Sequence, residues 1–441
     1  MTNRRKFLIN LTKSIKYPVL ITFTFIIVNV ILYSKFSNNR PTHDAFFYEQ
    51  VAKSILEGET TIDDEGKQAD IGIEVTPGYS FFVAVVYFVI GSDPINVYII
   101  QSLLSLGCLL LIYSIVSRKS NFYFGLIATI SLAVYIPIWR YNYTLLMEIL
   151  TIALLCLTIY SLFLFTSKNN KWYLFLYGFL FSVLTFVNNR FVVLFVISII
   201  FLIFRSVSNI VKVKQLSLTF LIFILLLIPW HIRQFVVYDS FVVFTPTWTN
   251  LLNQSFGIPP RVDVITDLDR KSDTIKTFNE YVEEIKKTRN DETYKKFTMQ
   301  KYAELVENHP NNSNNPNFYK YFSRAIAFWE VLNFDFAWVP GIDYRINLPS
   351  SKIQILFNVL FLLPVLISFP IGTYFAFRRH DIFVQILTLF VLGHWVLHIA
   401  VHYIERYRIT ILPLVFLVAW YGIYQIYEQY KSNSSLSQKH V

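Results

Sequence analysis

Cysteine is nearly absent from this chain. Two occur in 441 residues, Cys108 and Cys156, each inside an apolar run. That excludes a disulfide framework and a cysteine-ligated metal cluster. Charge is nearly absent from the apolar runs themselves, and no matched pair of broken runs repeats between the two halves. Both absences argue against a transporter, which needs ionisable groups or helix breaks at mid-membrane. No internal repeat and no heptad pattern is present, and no small-residue cleavage site follows the first apolar run. That run is therefore read as a retained span and not as a secretory signal.

What is present is apolar. Hydrophobic residues make up 54% of the chain and aromatics 18%, with a mean hydropathy of +0.45. Those values exclude an ordinary soluble domain. Several runs reach the roughly 20 residues that a helix needs to cross the hydrocarbon core. The formal charge of +10 does not indicate a nucleic-acid partner, because the cations sit in short loops between apolar runs. One assignment places nearly all of them on one side: Arg4 to Lys6, Arg118-Lys119, Lys168 and Lys171, Arg205, Lys212 and Lys214, and Arg378-Arg379. By the positive-inside rule that side is cytoplasmic, with the N-terminus.

The expected fold is an all-α polytopic membrane protein with about ten spans: 17–34, 95–116, 122–139, 149–165, 172–187, 191–204, 216–230, 353–377, 382–401 and 409–426. The apolar piece 77–91 is short for a crossing, and counting it would invert most later loops, so it is read as an interfacial helix. Three regions follow. Residues 1–260 form a membrane module whose first external loop, 35–94, carries an amphipathic helix. Residues 261–350 form an external segment, with solvated amphipathic helices over 274–307. Residues 351–441 hold the last spans and a cytoplasmic tail. The turn 140–148 is expected outside.

Ionisable residues not explained by the inside rule gather on the other face: Asp44, Glu148, Arg190, Arg233, Glu405, Arg406 and Arg408. Such groups near the membrane are costly unless paired or used. Arginines there suit phosphate, because the planar fork offers paired donors. Plainer readings stand beside this one. Asp44 is a helix cap, with Thr42 as alternative and Gly58 as the stop. Glu148 is a surface partner of Arg140. Arg190 and Arg233 are headgroup-level anchors, and 405–408 is a charged cap. His394, His398 and His402 share a helix face, and packing is preferred there to metal binding. The triplets at Asn142, Asn253 and Asn311 are of N-glycosylation type.

Four stretches together resemble a known family. They are Asp44-x3-Tyr48-x3-Ala52-x5-Gly58 followed by Thr76-Pro77-Gly78-Tyr79; Thr144-Leu-Leu-Met-Glu148; Pro229-Trp230-His-Ile-Arg233 with Phe241-Val-Val-Phe244; and Glu405-Arg406-Tyr407-Arg408 followed by Pro413 and Gly422. Their order and content resemble the polyprenyl-phosphate-dependent GT-C glycosyltransferases, in the group of the protein O-mannosyltransferases and lipid A aminoarabinose transferases. Two departures are plain. The protein mannosyltransferases have two adjacent acids where Asp44 is followed by Ala45, and the Trp-Trp-Asp signature of oligosaccharyltransferases is missing.

The resemblance implies a GT-C architecture and inverting transfer of a sugar from a polyprenyl-phosphate sugar to an acceptor hydroxyl on the external face. The acceptor is a glycan, lipid or protein. It implies Asp44 as catalytic base and Glu148 as second acid. Arg233, Arg406, Arg408 and Arg190 would hold the donor phosphate, and Tyr48, Tyr407 and Glu405 would position substrate. A divalent metal, Mg or Mn, stays open. The composition, rich in Asn, Lys, Ile and Phe, suggests a bacterial cytoplasmic membrane. A polymerase or ligase of lipid-linked polysaccharides is the main alternative, and a membrane transporter the lesser one.

Overall fold

A computed structural model describes residues 3–36, 41, 44–58, 61–64, 67–70, 76–206, 210–238, 325, 328–329, 355–400 and 406–437. In chain order the elements are α1 (Asn3–Phe36), α2 (Asp44–Glu57), β1 (Thr61–Asp64), β2 (Lys67–Asp70), α3 (Pro77–Ile90), α4 (Pro94–Lys119), α5 (Phe122–Ala133) and α6 (Ile136–Trp139). A 3-10 turn, Arg140–Tyr143, precedes α7 (Glu148–Lys168), α8 (Lys171–Val187), α9 (Phe191–Ser206) and α10 (Ile210–Tyr238). After the π-turn Asn358–Leu362 come α11 (Leu363–Arg378), α12 (Ile382–Ala400), α13 (Arg406–Ile409) and α14 (Leu412–Ser437). The fold is helical as expected, apart from the short antiparallel hairpin β1–β2, which pairs Thr61 with Asp70 and Asp64 with Lys67.

Among the described residues six helices are long and apolar enough to cross a membrane, or seven when the bent pair α5–α6 counts as one span. The helices α8 and α9 have 17 and 16 residues, about 25 Å each at 1.5 Å per residue, short of the roughly 30 Å core. With those two and α14 the ten expected spans all have a helical counterpart. The helix α1 shows why the medium must be lipid. It leaves Val19, Phe23 and Val30 about 60% exposed, a face that costs nothing only against acyl chains.

One expected span is broken. The spacing predicts an unbroken crossing over 122–139, but α5 and α6 meet at 57°. Pro137 opens α6, and its ring clashes with the carbonyl four residues back while its nitrogen donates nothing. The Leu132 carbonyl at the bend accepts from the Tyr135 N–H at 3.1 Å and from the Trp139 indole at 2.8 Å. The turn after it differs from expectation too. Residues 137–153 are all buried, so 140–148 folds into the protein rather than over its surface. Asn142 is fully buried and donates to Asn29 Oδ1 at 3.0 Å, so its triplet is closed to glycosylation in the fold.

Alternating helix directions sort the charges to two ends. At the basic end Lys119 closes α4 and pairs with Asp381, just before α12, while Arg205 from α9 donates to Gln385 Oε1 at 3.0 Å. At the other end lie the N-terminus of α7, the start of α9 and α13. The helix α3 starts and finishes at that second end. Thr76, before its first turn, donates to the Val187 carbonyl at 2.6 Å, and Asn96 at the start of α4 donates to the Gly91 carbonyl at 2.9 Å. It does not cross, as its length requires. Gly78 makes this seat possible, because a Cβ there would lie 2.7 Å from the Phe186 carbonyl oxygen. Gly422 does the same for the α11–α14 crossing, where a Cβ would lie 2.5 Å from the Gly372 nitrogen.

Candidate active site

The helix α2 buries Ala45, Tyr48, Glu49, Val51, Ala52 and Ser54 and stops at Gly58, whose φ of +75° is the left-handed conformation of a helix end. Tyr48 packs edge-on against Tyr79 of α3 at 4.9 Å between ring centroids, and Tyr87 donates to Glu49 Oε1 at 3.3 Å. These contacts lock α2 against α3 and fix its first residue, Asp44, at the rim. The Asp44 side chain keeps 24% exposure, enough to meet a ligand.

Arg406, the first residue of α13, joins the two acids. Its Nη2 donates to Asp44 Oδ2 at 2.7 Å, and its Nε lies 3.4 Å from Glu148 Oε1, an ion-pair distance. Asp44 and Arg406 are 362 residues apart in sequence, yet they meet. Glu148 is 1% exposed, and its Oε2 is buried with no hydrogen-bond partner among the described residues. A buried carboxylate oxygen left this way is costly. Burial disfavours charge on Arg406, but Glu148 and the neighbouring phenols Tyr407, Tyr48 and Tyr141 outweigh it and hold the guanidinium above its ordinary range.

A second layer lies behind. The Arg190 guanidinium carbon sits 3.4 Å over the Tyr407 ring, a cation–π contact. Burial pushes the Tyr407 phenol up; Arg190 first and Arg406 next pull it further down, so that it ends below the usual tyrosine range. Tyr48 moves the other way, raised by burial and by the Glu148 charge. His394 and His398 meet edge-on with ring centroids 4.4 Å apart, and His398 lies 5.0 Å from the Tyr407 ring. They pack, as expected; His402 lies outside the described residues.

The structure thus brings together Asp44, Tyr48, Glu148, Arg190, Arg406 and Tyr407. Glu148 faces Arg406 rather than serving as a surface partner of Arg140, which is itself 2% exposed. Two further expected arginines make other contacts. Arg408 is fully buried and donates to the Phe328 carbonyl at 2.9 Å, which ties down the segment before α11. Arg233 lies over Trp230 at 5.0 Å, one turn back on its own helix. Glu405, Thr42, Phe241, Phe244, Asn253, Asn311 and the amphipathic helices expected over 274–307 lie outside the described residues.

Among the described residues no group of three or more His, Cys, Asp or Glu could hold a metal ion. The cation between Asp44 and Glu148 is the Arg406 guanidinium. The sequence holds one Asp-x-Asp, Asp267-Leu268-Asp269, outside the described residues.

Sequence reading passed over Gln101 and Tyr141. Tyr141 is buried beside Arg140, which donates to its hydroxyl at 3.4 Å. Gln101 is fully buried within a span. A polar residue inside an apolar run is itself a signal.

The helical bundle and the acid–arginine site at one end define a polytopic membrane protein with the fold of the GT-C, polyprenyl-phosphate-dependent glycosyltransferases. Residues 74–232 match the family model described as dolichyl-phosphate-mannose-protein mannosyltransferase. The Archaeoglobus fulgidus oligosaccharyltransferase in its apo form superposes with a TM-score of 0.52 at 10% identity, over 96% of this chain and 52% of that one. The same enzyme, AglB, in complex with an inhibitory peptide and a dolichol-phosphate gives 0.52 at 11% identity, over 97% and 52%. ArnT from Cupriavidus metallidurans bound to undecaprenyl phosphate gives 0.44 at 11% identity, over 92% and 77%. The chain spans about half the length of the oligosaccharyltransferase it matches. No curated protein matches it by sequence.

Proposed function

We propose that this chain transfers one sugar from a polyprenyl-phosphate-linked donor to an acceptor hydroxyl, with inversion, at the outer face of a bacterial cytoplasmic membrane. The observation that carries the reading is the Asp44–Arg406–Glu148 bridge, built from three distant parts of the chain at the end opposite the basic loops. The match of 74–232 to the mannosyltransferase family supports it. So does the structural likeness to an oligosaccharyltransferase solved with dolichol-phosphate.

In this mechanism the acceptor O–H gives its proton to Asp44 as its oxygen attacks the anomeric carbon. The bond from that carbon to the phosphate oxygen breaks, and polyprenyl phosphate leaves with the electron pair. The leaving phosphate gains charge as the bond breaks, and Arg406 and Arg190 are the cations placed to stabilise it. A positioned base contributes about 10²–10⁴-fold, and a preorganised cation a few kcal/mol. Glu148 orients acceptor or sugar, and Tyr48 and Tyr407 position the sugar.

The 2.7 Å pair adds a step. A carboxylate salt-bridged to arginine is a weak base. An incoming donor phosphate competes for the Arg406 fork, and Asp44 becomes basic as it is released. Donor binding thus arms the base.

The test is transfer of labelled sugar from a synthetic polyprenyl-phosphate sugar, using membranes holding the wild-type chain or Asp44→Asn. Wild-type transfer with none from the variant, at equal protein level, is expected. A variant as active as wild type removes Asp44 from the mechanism.

A further inference from the structure

Asp44 and Glu148 come from elements that do not touch through any regular pairing, yet they must face one guanidinium. One side chain touches the neighbours of both elements, Tyr79 of α3 and the turn 141–144 that leads into α7. Gln101, in the second turn of α4, is fully buried. Its Oε1 accepts from the Tyr79 hydroxyl at 2.8 Å. Its Nε2 donates to the Asn142 and Thr144 carbonyls, both at 2.9 Å, and lies 3.4 Å from the Tyr141 carbonyl.

The first arm leads to Asp44. Tyr79 packs edge-on against Tyr48, one turn along α2 from Asp44. The second arm leads to Glu148. Asn142 and Thr144 belong to the buried turn that runs directly into α7, and the Thr144 hydroxyl donates back to the Tyr141 carbonyl at 3.1 Å. Ser105, one turn beyond Gln101, fixes the same turn by donating to Asn142 Oδ1 at 2.6 Å.

The residue type follows from these demands. The turn exposes carbonyls that no helix satisfies, and they need donors. The phenol of Tyr79 needs an acceptor. A carboxamide supplies one acceptor and two donors at one position. Glutamate would turn a charge on the carbonyls, and an apolar residue of the same length would leave all these groups buried and unpaired.

We infer that Gln101 is a positioning residue that sets how Asp44 and Glu148 face Arg406, and so sets the rate of transfer without touching substrate. This rests on the transferase reading above, and the test separates the two. Gln101→Met removes both arms. Tyr79→Phe removes only the arm to α2. For transfer, Gln101→Met lowers kcat about tenfold or more, the effect of losing a buried hydrogen bond or two. The donor KM stays within about threefold, because the phosphate partners are intact. Added undecaprenyl phosphate still raises the melting temperature of the purified variant.

Hydrogen exchange supplies the readout that needs no activity. In Gln101→Met, amides of 141–148 and of 44–57 exchange about tenfold faster while those of 382–399 do not. In Tyr79→Phe only 44–57 changes. Wild-type kcat in Gln101→Met, or exchange raised evenly across the bundle with kcat per folded molecule unchanged, overturns the inference. If the wild-type chain transfers no sugar, the transferase reading fails, and the exchange pattern alone still decides whether Gln101 couples the two elements.

Discussion

The two ends of the bundle each close with an ion pair between distant segments, and the pairs are built differently. At the basic end Lys119 meets both oxygens of Asp381, at 2.8 and 2.6 Å. One cation serves one carboxylate, and both carboxylate oxygens are used. At the other end a single arginine is stretched between two carboxylates, at 2.7 and 3.4 Å, and one Glu148 oxygen is buried without a partner. The first arrangement is complete, and it holds α4 to the loop before α12. The second leaves one buried carboxylate oxygen, Glu148 Oε2, with no hydrogen-bond partner among the described residues. A charge cluster left unfinished in a buried place reads as a site, where a finished one reads as a clamp.

Breaking the shared arginine separates the two ends most sharply. Arg406→Met is expected to abolish transfer and to cost about 3–5 kcal/mol, because Glu148 keeps its burial and loses its cation. Thermal unfolding in detergent beside the transfer assay checks both. Arg406→Lys keeps the charge and loses the fork, so it is expected to fold normally and still transfer about 10²-fold slower. Glu148→Gln removes the buried charge, one of whose oxygens has no hydrogen-bond partner among the described residues. Its melting temperature is expected to hold or rise while kcat drops about tenfold to a hundredfold, a split no structural residue would show. Tyr407→Phe loses the phenol beside Arg190 and is expected to slow kcat about tenfold, measured at saturating donor.

The smallest effects on chemistry belong to the basic end. Lys119→Met is expected to lower stability by about 1–3 kcal/mol and to leave kcat per folded molecule unchanged. If Lys119→Met slows catalysis as much as Glu148→Gln, the contrast between clamp and site disappears.

Much of this was legible in the sequence because membrane proteins wear their constraints openly. Apolar run length predicts the spans, and basic loops predict which helix ends share a side. Lys119, Arg205 and Arg379 do cluster at one end. The meeting of Asp44 with Arg406 was readable only because both break the inside rule on the same face. The bend at Pro137 was less visible, since a proline at the membrane end of a run reads as a stop as easily as a kink. The burial of 140–148 was hidden for a different reason. Arg140, Tyr141, Asn142 and Tyr143 form a polar string that looks like a solvent turn. Gln101 and Ser105 of α4 and Asn29 of α1 pair its polar groups inside. Arg408 was grouped with Arg406 on spacing, yet residues two apart on a helix point to different sides, and Arg408 turns to the Phe328 carbonyl.

The central claim is that Arg406 holds Asp44 until a donor phosphate takes its place. A structure of the chain with undecaprenyl phosphate bound tests this most directly. The account predicts the phosphate against the Arg406 guanidinium, with Asp44 released and facing open space beside the sugar position. Phosphate bound elsewhere, with the 2.7 Å Asp44–Arg406 pair intact, would contradict it.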